Sequence, residues 1–78
     1  MNTEFILFHL QDAKEELDNL IEEMLKQSDY SEGSLSAAMQ HIYHHINTAW
    51  NGRNSLPNEE ETEEMFYKRR KFPSDIDL

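Results

Sequence analysis

Cysteine is absent from this chain of 78 residues, which excludes disulfide stapling, thiolate catalysis and every Cys-based zinc or iron–sulfur site. Valine is absent too, while Leu, Ile, Met, Phe and Trp supply most of the apolar content, and that balance argues for helices over sheet. With only Gly33 and Gly52, neither a phosphate-cradling glycine loop nor a Gly-x-Ser-x-Gly nucleophile elbow can be built. No stretch is net basic: residues 1–28 carry −5, residues 29–57 carry −1 and residues 58–78 carry −3, within a total of −9. A field of that sign repels phosphate backbones and anionic lipid, so neither nucleic acid nor a membrane surface is an expected partner. The longest apolar run, Phe5-Ile6-Leu7-Phe8, is too short to cross a bilayer and has no basic start, so a cytoplasmic location is expected.

What the sequence does contain is helical periodicity. Ile6, Leu10, Ala13, Leu17, Leu20, Ile21 and Met24 fall at alternating four- and three-residue steps, and Asp12, Glu15, Glu16, Glu22 and Glu23 lie away from that stripe. The spacing predicts a first helix over about 4–27, roughly 37 Å long at 1.5 Å per residue. Turn formers from Ser28 to Gly33 interrupt it, with Ser31 or Ser34 placed to cap a second helix over about 34–51. Its stripe is Leu35, Ala38, Met39, Ile42, Ile46 and Ala49, and Asn51-Gly52 reads as a left-handed C-terminal cap. Two long helices joined by a short turn lie antiparallel.

A third, weaker helix is predicted over about 59–71. Asn58 and Glu61 match a capping box, acidic residues fill the first turn, and Lys68-Arg69-Arg70-Lys71 sit at the negative end of the helix dipole. Phe72-Pro73 ends it, leaving a tail over 72–78. The expected fold is therefore all-α, one domain over 1–78, with a long antiparallel hairpin and a weaker C-terminal helix. Two hairpins are expected to pair as a homodimer in a four-helix bundle, because one hairpin plus Met65 and Phe66 cannot cover both stripes.

Two groups of residues carry potential chemistry. In His41-Ile42-Tyr43-His44-His45, residues 41 and 45 share one side of the second helix and are spaced to share one metal ion. His45 falls on the shoulder of the stripe, where it can meet carboxylates of the first helix; the plain alternatives are ordinary hydrogen-bonded boundary histidines and a pH-sensitive group. Phe5, Phe8, Tyr43, Asn47 and Trp50 form the candidate partner-binding set, the last three along a shoulder opposite His41 and His45 that the third helix or the tail would otherwise cover. No cofactor is expected.

The segment from His41 to Trp50, together with Lys71 to Asp77, resembles small bacterial helical proteins; the resemblance covers two short segments, contains no catalytic motif and implies no activity. The residues point to a non-enzymatic small acidic interaction or adaptor protein. The alternatives are a metal-binding helical protein using His41 and His45, and an acidic mimic that occupies a nucleic-acid-binding partner.

Overall fold

The computed structural model describes residues 1–77 and contains three helices, with no strand among the described residues. Helix α1 spans Thr3–Lys26, α2 spans Glu32–Asn51 and α3 spans Glu63–Arg69. Each begins at a side chain that accepts a backbone amide left over at the helix start. Asn2 accepts from Phe5 at 3.1 Å, Ser31 from Ser34 at 3.0 Å and Thr62 from Met65 at 3.2 Å. The chain reverses between Gln27 and Ser31, and α1 and α2 pack together as an antiparallel hairpin. The all-α hairpin with a short third helix is thus the architecture that the four-three spacing predicts.

The contact line of the hairpin is narrow. Only Ala13 and Leu20 of α1 and Ile42 and Ala49 of α2 are buried apolar residues, and no side chain in the described structure is completely enclosed. Alanine at two of the four positions lets the helices approach closely, but removes little surface from water. The Cα radius of gyration, 14.3 Å, exceeds the roughly 11.5 Å expected for a compact globule of this length. The molecule measures 44 × 26 × 22 Å, an elongated body rather than a closed one.

The open end of the hairpin is tied by polar groups instead. The Asn2 backbone amide donates to the Arg53 carbonyl at 2.6 Å, and the Asn2 side chain donates to the Ser55 carbonyl at 3.1 Å. Helix α3 packs on α2 and is held there by two asparagine amides: Asn47 donates to the Arg70 carbonyl at 2.9 Å, and Asn51 donates to the carbonyls of Arg69 and Lys71, each at 2.8 Å. These bonds take up carbonyls that the end of α3 leaves unpaired.

Four features differ from what the sequence predicts. The third helix starts at Thr62 rather than Asn58 and stops at Arg69: Asn58 and Glu61 form no cap, and Glu59 and Glu61 instead reach forward to the Arg69 guanidinium, at 3.0 and 3.9 Å. Gly52 has φ −101°, so it does not end α2 in the left-handed region. Its role is spatial, since the Phe5 ring occupies the volume a Cβ would need. Ile46 does not enter the contact line and is 45% exposed. The second helix also begins two residues earlier than the sequence predicts, at Glu32.

Candidate functional site

Two features stand out on the hairpin, one on each side of the contact line. The first is apolar. Leu10, Leu17, Ile21 and Met24 recur along α1 at helical spacing and remain 43–50% exposed, as do Tyr43 and Ile46 of α2, with Met39 half-buried beside them. The stripe read from the sequence is therefore wider than the line along which α1 meets α2. Its centre is used within the chain, and one whole shoulder stays in water. Glu15 and Glu22 lie on the far side of α1 from this shoulder, so the apolar strip is not broken by acidic groups.

The second feature is polar and sits on the other side. His9 of α1 and His45 of α2 face each other with their Nδ1 atoms 3.2 Å apart. The Nε2 of His45 lies 3.6 Å from Glu16 Oε1, while Glu16 Oε2 is buried and accepts no hydrogen bond among the described residues. A hydrogen bond between two imidazole nitrogens requires one to donate and the other to accept, so the pair can carry one added proton but not two. His9 itself is held below the ordinary imidazole range, first by burial and then by the charge of His45 and of Arg69, against the opposing pull of Asp12 and Glu61.

Next along α2, His44 receives the Arg70 guanidinium, 2.8 Å from Nδ1 and 3.3 Å from Nε2. Arginine only donates, so His44 must present a lone pair and be neutral. Partial burial and the neighbouring Arg70 charge both hold the His44 pKa below its usual value. The consecutive residues His44 and His45 thus bind different neighbours, α3 through Arg70 and α1 through His9.

His41 is exposed and lines a cleft of about 230 Å³ with Glu16, Asn19, Leu20, Glu23 and Ala38. The ring that meets His45 belongs to His9, on the other helix, and not to His41. Among the described residues no three His, Asp or Glu side chains converge into a set that could hold a metal ion. The expected approach of His45 to an α1 carboxylate is present, in Glu16. Sequence reasoning did not single out His9; the available signal was its seven-residue spacing from Glu16, which puts both on one face of α1.

The five candidate partner-binding residues separate into two groups. Phe8 and Tyr43 are exposed. Phe5 is half-buried, edge-on to His9 with ring centroids 4.7 Å apart and with the Arg69 guanidinium 5.3 Å from its ring centroid. Asn47 is buried in its bond to α3. Trp50 donates its indole N–H to Asp75 at 2.8 Å and carries the Arg53 guanidinium 3.9 Å from its ring centroid. That hydrogen bond, ahead of the Arg53 charge, holds the Asp75 carboxyl below its usual range. The tail thus covers the Trp50 end of this shoulder, with Pro73 buried; Leu78, a further candidate cover, lies outside the described residues.

No helix among the described residues is long and apolar enough to cross a membrane. No protein-family model matches the chain, and neither curated proteins nor solved structures provide a match.

Proposed function

We propose that this chain is a non-enzymatic interaction protein that works as a homodimer, two hairpins closing into a four-helix bundle with an acidic outer surface. One observation carries this reading: the continuous apolar shoulder of Leu10, Leu17, Ile21, Met24, Tyr43 and Ile46 beside a contact line that buries only four apolar residues. Monomeric proteins rarely leave such a strip in water. The strip runs along most of a helix about 36 Å long and spans two helices whose axes lie about 8–10 Å apart. Each about half exposed, its six named residues offer on the order of 500 Å² before rim residues are added, toward the ~800 Å² per partner of a stable protein interface.

A second copy fits this surface better than an unrelated chain does. The strip has the dimensions of half a four-helix bundle, and a two-fold arrangement lets identical apolar patches satisfy each other and then stop. It also leaves the acidic residues of α1 facing outward, so a net charge of −9 on each copy opposes the pairing only at a distance, where salt screens it. That acidic exterior is the surface an adaptor would present to its partners in the cytoplasm.

Association of this kind makes stability depend on concentration. The thermal midpoint is expected to rise steadily as protein concentration is raised from about 2 to 200 μM, because mass action favours a folded dimer over unfolded chains. A midpoint that stays constant across that range contradicts the self-association on which this reading rests.

A further inference from the structure

We propose that acid loosens this protein: protonation of His9 weakens the junction of α1 with α2, and protonation of His44 weakens that of α3 with α2. The two latches are built on adjacent residues of one helix and share one requirement. His9 meets His45 across the hairpin through facing Nδ1 atoms at 3.2 Å, a geometry that fails once both rings carry a proton on those atoms. His44 accepts from Arg70 at 2.8 Å, and a protonated ring there has no lone pair to offer and sets two cations side by side.

The surroundings decide which proton matters. The outer nitrogen of His45 has Glu16 Oε1 3.6 Å away. A proton on His9 is opposed by His45 and the nearby Arg69; Asp12 and Glu61 are the carboxylates that favour it. His44 has Arg70, His41 and His45 as its charged or titratable neighbours and no carboxylate among them. Both rings are neutral in the folded chain at a pH where the unfolded chain already binds protons. Stability from the latches is therefore complete above about pH 6.5, the ordinary imidazole value, and is lost as pH falls below it. The overall charge acts with the opposite sign, since protonating a chain of net charge −9 relieves its self-repulsion. Acid destabilisation in this range consequently reports the histidines.

The test uses the full chain at fixed protein concentration, by following the imidazole proton resonances and amide exchange by NMR from pH 7.5 to 5.0. His9 and His44 should titrate below the ordinary imidazole range, and amide protection in α3 should fall several-fold over that interval. His44→Gln, which still accepts from Arg70 but does not titrate, should keep α3 protected at pH 5.0. The double variant His9→Gln/His44→Gln should lose the acid-dependent fall in urea stability between pH 7 and 5. Titration of both rings at or above the ordinary value overturns the proposal, without relying on any variant to fold. So does a double variant whose stability falls with pH as steeply as that of the wild type.

Discussion

Leu17→Asp should break the molecule into single chains. Leu17 sits midway along the exposed apolar strip of α1, 43% exposed in the isolated hairpin, so an aspartate there is tolerable in one copy alone. Across a two-fold seam it places a carboxylate against the apolar strip of the second copy, and the symmetry does this twice. An unpaired charge removed from water at an interface costs about 2–5 kcal/mol, so association should weaken by at least 100-fold. Size-exclusion chromatography with light scattering should report the single-chain mass of 9.3 kDa at concentrations where the wild type reports twice that. Leu25→Asp is the control. Leu25 is 83% exposed at the end of α1, off the strip, and its substitution should leave both mass and helicity unchanged.

Gly52→Ala should destabilise the fold by about 1–3 kcal/mol, the usual cost of forcing atoms into a filled site. A Cβ at position 52 would lie 2.4 and 2.6 Å from two atoms of the Phe5 ring and 3.1 Å from the Thr48 carbonyl oxygen. The ring cannot simply swing aside, because His9 meets its edge and Arg69 lies over its face. Displacing it also disturbs the junction where the start of α1 is tied to the loop after α2. For a domain of this size each kcal/mol corresponds to roughly 4–8 °C in thermal midpoint, which differential scanning calorimetry resolves easily. Phe5→Leu in the same chain should recover part of the loss, since the smaller side chain vacates the contested volume. Strict additivity of the two single changes would show that Phe5 is not what Gly52 accommodates.

The Gly52 example marks where the sequence stops being legible. A glycine after a helix is most often a left-handed cap, and that local rule predicts the position of the helix end correctly but not the reason for the glycine. The reason is a ring 47 positions earlier, which no local pattern contains. The same holds for α3. Asn58 and Glu61 satisfy the capping-box spacing, yet Arg69 draws Glu59 and Glu61 into ion pairs, and the helix waits for Thr62. Its end is likewise set from outside, by the Asn51 amide bonding the carbonyls of Arg69 and Lys71. By contrast, α1 and α2 are long and strongly periodic, and their pairing follows directly from the four-three spacing.

Of the site, the sequence shows which residue types are available but not which of them meet. His41 and His45 share a helix face, and spacing within one helix suggests that they act together. Packing pairs His45 with His9 instead, because the antiparallel register brings residue 9 of α1 level with residue 45 of α2. Asn47 looked like part of a docking shoulder and is instead buried, holding α3 in place. Even the apolar stripe is ambiguous from the sequence, since periodicity locates its centre and not its width. That width, seen in the exposure of Leu10, Leu17, Ile21 and Met24, is what the proposed pairing of two hairpins rests on.

Self-association through this strip is the claim on which the functional reading depends, and sedimentation equilibrium of the wild-type chain at micromolar concentration tests it most directly. About twice the chain mass of 9.3 kDa is expected, with dissociation only on strong dilution. A mass that remains at 9.3 kDa throughout the micromolar range would contradict it.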